Sequence, residues 1–317
     1  MELSVVVPVY NEEANVEPLI GEINGVLRHL GKSCEVIVVD DGSEDQTFAV
    51  LSKLHREQPA LKVVRLKRNF GQTAALAAGL AYARGEIVVL MDGDGQNDPA
   101  DIPALLAKIA EGNDLVAGWR FDRRDPFLSR RLPSMIANRL ISWTTRVKLH
   151  DYGCTLKAMR QDIAKNLKLY GEMHRFIPAI AFERGARIAE LKVNHRPRLR
   201  GKSKYGITRT LRVVLDLLTV KFMISYSTRP SHVFGPIGIL SGLSGFLIAI
   251  YLTIQKLVYD LEIGGRPLLL LAILLIFIGF QFVTMGLLGE MLARTYHESQ
   301  DRAVFVVGEI LEERNSV

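Results

Sequence analysis

Two long stretches without a charged side chain lie near the C-terminus and limit what this chain can fold into. Residues 233–255 and 267–289 each contain 23 residues and no Asp, Glu, Lys or Arg. Each is long enough to cross the roughly 30 Å hydrocarbon layer of a membrane as a helix, whereas buried core helices are the alternative. A short charged connector, residues 256–266, joins them. We therefore expect a transmembrane hairpin, within residues 232–290, with both ends on one side of the membrane.

Basic residues around the hairpin indicate its orientation. The outer ends are flanked by Lys221, Arg229, His232, Arg294 and Arg302, whereas the connector carries two cations beside two acids. This slight bias favours a cytoplasmic N-terminal region. Because Met1 leads directly into a predicted strand, we expect no secretory signal. These observations predict a multi-pass protein of the cell inner membrane or plasma membrane.

Upstream of the hairpin, short apolar runs alternate with segments of helical periodicity. The predicted strands are residues 3–10, 35–39, 63–66, 87–91 and 115–120, and the predicted helices are residues 16–30, 45–54 and 73–84. Strands that alternate with helices predict an α/β fold with a mostly parallel sheet, in which ligands bind beyond the carboxyl ends of the strands.

Acidic residues follow three of these predicted strands. Glu12 follows the first, Asp40 and Asp41 follow the second, and Asp92 and Asp94 follow the fourth. Because the carboxyl ends of parallel strands meet at one edge of a sheet, we expect a site for a metal-bound nucleotide diphosphate there. Two carboxylates spaced in this way suit Mg²⁺ or Mn²⁺. A solvated turn is the alternative, since Asp-Gly pairs are common in turns.

Two glycines beside these carboxylates, and two motifs that the sequence lacks, indicate which kind of ligand the predicted site would bind. Gly93 and Gly95 would let a bulky ligand approach the main chain. No G-x-G-x-x-G follows the first strand, which disfavours a dinucleotide-binding enzyme, and no P-loop sequence occurs.

A strongly basic segment precedes the hairpin. Residues 191–215 contain eight Lys or Arg and no Asp or Glu, which favours anion binding, with a solvated surface facing the membrane as the alternative. Gly201 lies among cations and indicates a flexible loop that could close over phosphates. We expect residues 1–210 to form the main domain and residues 211–231 an amphipathic helix at the bilayer, or one packed on that domain. In the C-terminal tail, residues 291–317, the run 303–307 resembles a strand.

Four motifs, together with the hairpin, resemble the family 2 glycosyltransferases that charge polyprenyl phosphates with sugars. The motifs are Pro-Val-Tyr-Asn-Glu at 8–12, Asp-Asp-Gly-Ser at 40–43, Asp-Gly-Asp-Gly-Gln at 92–96, and Arg-Leu-Arg-Gly-Lys-Ser-Lys-Tyr at 198–205. The bacterial undecaprenyl-phosphate glucosyltransferase group is the most similar, and the bacterial undecaprenyl-phosphate aminoarabinosyl transferases and the dolichol-phosphate mannose synthases are related. The resemblance covers essentially the whole chain and implies a GT-A fold.

The resemblance also implies roles for individual residues. The base and ribose of the donor would contact Pro8, Tyr10, Glu12 and Asp40. The divalent metal and the diphosphate would be held by Asp92, Asp94 and Gln96. The diphosphate would be covered by a loop that carries Arg198, Arg200, Ser203 and Lys204. The lipid phosphate would meet Arg130, Arg131, His174 and Arg175, although His174 could equally be a structural helix cap.

Three residues are the expected catalytic group: Asp94, Arg120 and Asp151. Arg120 would lie near the acceptor and donor phosphates. Asp151 would orient a sugar hydroxyl or act as a base, and simple loop capping is the alternative.

The activity implied is an inverting, metal-dependent transfer of a hexose to undecaprenyl or another polyprenyl phosphate. Glucose from UDP-glucose is the favoured donor, mannosyl transfer from GDP-mannose is one alternative, and a non-catalytic nucleotide-sugar-binding scaffold is another. We expect Mg²⁺ or Mn²⁺ as cofactor and no nucleic-acid partner. Small residues recur on the first span at Gly235, Gly238, Gly242 and Gly245, which permits close helix packing within the hairpin or in a homo-oligomer such as a tetramer.

Overall fold

The computed structural model of the protein describes residues 1–58, 60–121, 142, 145, 147–169, 173–196, 231–262, 265–299 and 304–312. The chain divides into two compact units. The first contains Met1–Val220 and Ala303–Val317, and the second contains Lys221–Arg302.

The described part of the first unit consists of strands, helices and two 3₁₀ turns. The strands are β1 (Leu3–Val9), β2 (Cys34–Asp40), β3 (Leu61–Leu66), β4 (Ile87–Leu90), β5 (Leu115–Arg120), β6 (Lys157–Arg160), β7 (Ile188–Val193) and β8 (Val307–Leu311). The helices are α1 (Val16–Leu30), α2 (Thr47–Glu57), α3 (Gln72–Tyr82), α4 (Ile102–Ala110), α5 (Gln161–Asn166) and α6 (Ile177–Glu183). The 3₁₀ turns are Pro99–Asp101 and Met173–Phe176.

These eight described strands form one sheet in the order β7-β5-β6-β4-β1-β2-β3-β8. The central strands β4, β1, β2 and β3 are parallel, as are β5 and β7. This arrangement confirms the predicted α/β fold with a mostly parallel sheet. Strand β6 pairs antiparallel with both β4 and β5, and β8 pairs antiparallel with β3. Neither β6 nor β7 was predicted, whereas the elements predicted before residue 121 match the structure to within three residues.

Helix α3 packs tightly on the middle of the sheet. Gly79 lies against β1, where an added Cβ would collide with the side chain of Val6. The apolar side chains of β1 are buried on both faces, as is typical of a central parallel strand. This contact brings the first residues of α3, Gln72 and Thr73, to the carboxyl edge of the sheet, next to the ends of the central strands.

The C-terminal tail returns to the sheet of the first unit. Its strand is β8, which begins four residues later than the predicted run at 303 and lies antiparallel to β3. Glu312 directly follows this strand and forms ion pairs with Lys62 Nζ at 2.9 Å and Arg84 at 2.7 Å. These contacts fix the tail on the edge of the sheet.

The second unit contains two long helices, α7 (Ser231–Tyr259) and α8 (Pro267–Ser299). Segments Phe234–Tyr259 and Pro267–Gly289 are long and apolar enough to cross a membrane. Only 17% and 11% of their most apolar windows are buried, whereas a core helix of a soluble protein is mostly buried. The exposed apolar surface therefore favours the membrane hairpin.

Glycines form the contact between these two helices. An added Cβ on Gly279 would lie 2.6 Å from Gly238 O and 2.6 Å from Gly242 N, and one on Gly245 would lie 2.6 Å from Ala272 O. Gly235 has no such neighbour within 4 Å. The small residues of the first helix, apart from Gly235, thus allow close packing within the hairpin.

We predict that Gly279→Ala destabilises the hairpin, because its methyl group has no space between the helix backbones. Overpacking of this kind costs about 1–3 kcal/mol. The thermal unfolding midpoint of the detergent-solubilised protein should fall. Gly235→Ala is the matched control and should leave the midpoint unchanged or slightly higher, since Ala favours helix over Gly. Equal midpoints for the two variants would contradict the packing described.

Candidate active site

The loop after β4 carries the two predicted metal carboxylates. Asp92 N–H donates to Asn97 Oδ1 at 3.0 Å, and Gln96 N–H donates to Asp94 Oδ1 at 3.1 Å. Gly95 adopts a φ of 71°, a left-handed conformation that glycine accepts without strain. The loop is therefore a compact turn that holds Asp92, Asp94 and Gln96 at the carboxyl edge of the sheet.

Asp92 is surrounded by groups that act on its charge. Its Oδ1 accepts a hydrogen bond from Gln72 Nε2 at 2.7 Å. Burial and the nearby charge of Asp94 raise the pKa of Asp92 to about 6, against the opposing effects of a hydrogen bond from Thr155 and the charges of Arg120 and Lys157. Two carboxylates that repel each other in this way favour a cation between them.

The glycine between these carboxylates has a different role from the one expected. An added Cβ on Gly93 would lie 2.5 Å from Val9 Cγ1 and 2.8 Å from Pro8 O. This side of Gly93 faces β1 and not the ligand side of the loop. The absence of a side chain at Gly93 permits close packing of the loop on β1. An added Cβ on Gly95, by contrast, has no neighbour within 4 Å.

The oxygen atoms of this loop fit a Mg²⁺ or Mn²⁺ ion. Among the described residues, no three His, Cys, Asp or Glu side chains cluster as a metal site. Asp92 and Asp94 provide two carboxylates on this loop, and these two side chains with the amide of Gln96 are the groups that would hold the ion. Such an ion usually binds one or two carboxylates and completes its coordination with waters and substrate phosphates.

Arg120 and Asp151 form a bidentate ion pair. Arg120 Nε donates to Asp151 Oδ2 at 2.7 Å, and a terminal nitrogen donates to Oδ1 at 2.9 Å. Asp151 Oδ1 also accepts from Gly153 N at 3.0 Å. Burial alone would lower the pKa of Arg120, but the hydrogen bonds and charge of Asp151 outweigh it and raise that pKa. Both carboxylate oxygens of Asp151 therefore hold Arg120, and the predicted role of Asp151 toward the sugar stays a prediction.

Lys157 is a buried cation on β6 that the sequence did not indicate. Its ammonium group donates to the carbonyl oxygen of Cys154. Burial lowers the pKa of Lys157, while the negative charges of Asp151 and Asp92 oppose this effect. Lys157 and Arg120 thus lie close enough to Asp92 and Asp151 for the charges to shift one another's pKa values.

The nucleoside residues expected from the sequence lie at the ends of β1 and β2. Asp40 is fully buried, and its Oδ1 accepts from Ser43 N at 2.9 Å. Its Oδ2 lies 3.6 Å from Arg65 Nε but accepts no hydrogen bond from the described residues. A buried carboxylate oxygen without a donor is costly unless a ligand supplies one.

The other three residues of this group surround the turn after β1. Pro8 lies within β1, and Tyr10 is half-buried just after it. Glu12 N donates to Thr47 Oγ1 at 2.9 Å, and Glu12 Oε2 accepts from Asn15 Nδ2 at 2.6 Å. The structure thus brings Pro8, Tyr10, Glu12 and Asp40 to the ends of adjacent strands.

His174 also reaches this edge of the sheet. Its Nδ1 is 2.8 Å from Thr73 Oγ1, in the first turn of α3 and next to Gln72. Its neighbour Arg175 is half-buried in the same 3₁₀ turn. Six predicted phosphate-binding residues lie outside the described residues: Arg130, Arg131, Arg198, Arg200, Ser203 and Lys204.

Three polar residues of this site were not predicted from the sequence. Gln72 and Thr155 contact Asp92, and Lys157 lies near it. Gln72 lies between Gly71 and the predicted helix start at residue 73, and the side chain of a residue at a helix start can reach the strand ends. For Thr155 and Lys157 the sequence holds no comparable signal, because β6 is four residues long and has no apolar run.

Comparison with known proteins identifies relatives across the whole chain. The profile of glycosyl transferase family 2 matches residues 4–168. A dodecaprenyl-phosphate galacturonate synthase from Rhizobium johnstonii is 45% identical over 99% of this chain and 94% of its own length. An undecaprenyl-phosphate 4-deoxy-4-formamido-L-arabinose transferase from Pseudomonas paraeruginosa is 37% identical over 98% of this chain and 90% of its own length.

Solved structures share the fold of the catalytic region. Glucosyl-3-phosphoglycerate synthase from Mycobacterium tuberculosis, solved with Mn²⁺ and UDP-glucose, has a TM-score of 0.56 at 23% identity, covering 72% of this chain and 81% of that one. Mannosyl-3-phosphoglycerate synthase from Rubrobacter xylanophilus has a TM-score of 0.57 at 17% identity, covering 70% and 74%. These likenesses confirm the GT-A fold expected from the motifs.

We predict strong coupling between Arg120 and Asp151 in a double-mutant cycle. Removing one partner leaves the other charge buried and unpaired, which costs about 3–5 kcal/mol. Asp151→Asn and Arg120→Gln should each lower the thermal midpoint markedly, and the double variant should lose less than the sum. The exposed pair Lys108 and Glu111 is the control, with coupling of at most about 0.5 kcal/mol. Additive losses for Arg120 and Asp151 would contradict the ion pair.

Proposed function

Because the chain belongs to glycosyl transferase family 2, we propose that it transfers a sugar from a nucleotide donor to the phosphate of a polyprenyl lipid. The names of the relatives, which match nearly the whole chain, support this acceptor. Two helices suited to a membrane are consistent with a lipid acceptor. The observation that carries the proposal is that Asp92, Asp94 and Arg120 lie together at one edge of the sheet. A site that binds a nucleotide diphosphate and stabilises it as a leaving group requires such an arrangement of charges.

The acceptor needs little activation at neutral pH. A phosphate monoester has a second pKa near 6, so the lipid phosphate is already largely a dianion. One of its oxygens attacks the anomeric carbon of the sugar as the bond from that carbon to the nucleotide diphosphate breaks. The diphosphate leaves with the bonding electrons, and a single displacement inverts the anomeric configuration.

The residues of the site would act mainly by position and charge. Arg120 faces the developing negative charge of the leaving diphosphate, and Asp151 holds its guanidinium in place through two hydrogen bonds. Gln72 and Thr155 orient the Asp92 carboxylate. A bound divalent ion would neutralise charge on the diphosphate, with Asp92, Asp94 and Gln96 as its protein ligands. His174 and Arg175 lie at the same edge as candidates for the lipid phosphate.

The sugar is the finer part of the proposal. The motif resemblance favours glucose, whereas the relative at 45% identity is named for galacturonate and the one at 37% for formamidoarabinose. We take UDP-linked galacturonate as the first donor to test and UDP-glucose as the second. The catalytic unit is proposed to lie at the inner membrane and to face the cytoplasm, the compartment in which nucleotide sugars are made.

A transfer assay tests this function. Detergent-purified protein receives undecaprenyl phosphate, Mn²⁺ or Mg²⁺, and one labelled donor: UDP-galacturonate, UDP-glucose or GDP-mannose. We expect label in the lipid phase from one UDP-sugar, loss of transfer with EDTA, and loss in Asp94→Ala. Asp162→Asn, an exposed aspartate on α5, is the matched control and should retain activity. Nucleotide binding without transfer from any donor would favour the scaffold alternative.

A second prediction concerns pH and metal binding. Because the pKa of Asp92 is raised to about 6, its carboxylate is ionised above that pH and protonated below it. The rise in thermal midpoint caused by Mn²⁺ should therefore be large at pH 7.5 and small at pH 5.

The metal-free protein should show the opposite trend. The folded protein holds a proton on Asp92 more tightly than the unfolded chain does, because the pKa of Asp92 is raised on folding. This difference stabilises the folded state at pH values below the unfolded-state pKa, and the contribution is lost as the pH rises through about 6. Asp92→Asn should remove both effects, whereas Asp162→Asn should keep them. A Mn²⁺ effect of equal size at both pH values would contradict Asp92 as a ligand.

A further inference from the structure

A second feature of the carboxyl edge is an open cavity of about 540 Å³ at the end of β3. Its walls are residues 42–44 after β2, residues 65–69 at the end of β3, and Gly308 and Glu309 of β8. The tail strand that follows the helical hairpin in sequence therefore lines a cavity next to the expected nucleoside residues.

The order of the strands relates this cavity to the metal carboxylates. Strand β3 lies three positions from β4 in the sheet, across β1 and β2. With neighbouring strands about 4.8 Å apart, the cavity lies roughly 14 Å from the Asp92 loop. A nucleoside diphosphate with its phosphates at that loop would extend across the ends of β1 and β2 toward the cavity.

The polar groups at the cavity suit a nucleobase. The guanidinium of Arg65 lies over the ring of Phe48 at 4.2 Å and next to Asp40, and that of Arg68 lies over Phe70 at 4.7 Å. Both guanidinium groups can donate to base carbonyl oxygens. The buried Asp40 Oδ2 lies behind Arg65, 3.6 Å from its Nε, and keeps positive charge at the cavity wall. A base with carbonyl oxygens, such as uracil or guanine, offers acceptors to these guanidinium groups.

The tail strand is held firmly where it meets this cavity. Lys67 N donates to Val306 O at 3.0 Å, and the pairing of β8 with β3 shifts register between Arg65 and Leu66. Farther along, Glu312 pairs with Lys62 and Arg84. The shift leaves Gly308 at the cavity wall, where an added Cβ would approach no atom closer than 3.5 Å.

We propose that β8 forms the outer wall of the nucleobase end of the donor site, so that the C-terminal tail helps to set affinity for the nucleoside. This inference rests on the proposed function. It assigns a binding role to residues that follow the hairpin, far in sequence from the donor motifs. The tail then contributes to donor binding and not only to closing the edge of the sheet.

Substitutions at Gly308 test this role, because a larger side chain there should fill the cavity. In the full-length protein with Mn²⁺, affinity for UDP should fall with side-chain size from Gly308→Ala to Leu to Trp, by roughly tenfold for Trp. Inhibition by pyrophosphate, which lacks a nucleoside, should stay unchanged, as should kcat at saturating donor. Ile310→Trp lies on the same strand outside the cavity and is the matched control, with no change expected.

The outcomes separate this inference from the proposed function. Unchanged UDP affinity in Gly308→Leu and Gly308→Trp, or equal weakening of UDP and pyrophosphate, would overturn the role of β8. Should Gly308→Trp fail to fold, Gly308→Leu decides alone. A wild-type protein that binds neither UDP nor GDP would instead contradict the proposed function.

Discussion

The site depends on the repulsion between two carboxylates at the end of a buried strand. Asp92 and Asp94 are held in one tight turn, and burial together with this repulsion raises the pKa of Asp92 to about 6. Neighbouring groups limit that cost: Gln72 and Thr155 donate hydrogen bonds, and Arg120 and Lys157 add positive charge. A cation bound with a diphosphate would remove the remaining repulsion, which links the electrostatic cost of this turn to its proposed chemistry.

The same balance explains why Asp151 is needed near the site. Arg120 is largely buried, with 17% of its side chain exposed, and without a counter-charge it would be costly to hold close to the sheet edge. Asp151 compensates it with both oxygens, and His150 and Asp151 are in turn anchored by their backbone N–H groups to Glu190 on β7 at 2.8 and 3.0 Å. Three strands therefore cooperate to place one guanidinium: β5 carries it, β7 anchors its partner, and β6 lies between the metal loop and β5.

Much of this could be predicted from the sequence, and the remainder has physical reasons for being missed. Apolar runs that end in carboxylates reveal β1, β2 and β4, so Asp40, Asp92 and Asp94 were correctly predicted to lie at one sheet edge. The pairing of Arg120 with Asp151 joins residues 31 apart, which no local periodicity encodes. Strand β6 reverses direction and is too short to show a pattern, so Lys157 went unnoticed. Gly93 was predicted to give a ligand access to the main chain, but in the structure the absence of a side chain at this position allows the loop to pack against Val9.

The most direct test of the central claim is Mn²⁺ binding measured by electron paramagnetic resonance, with and without UDP. Because coupling between two ligands is reciprocal, a shared site requires UDP to raise Mn²⁺ affinity and Mn²⁺ to raise UDP affinity by the same factor. We expect this coupling in the wild-type protein and its loss in Asp94→Ala. Mn²⁺ binding that is indifferent to UDP, or unchanged in Asp94→Ala, would contradict a cation–diphosphate site at the end of β4.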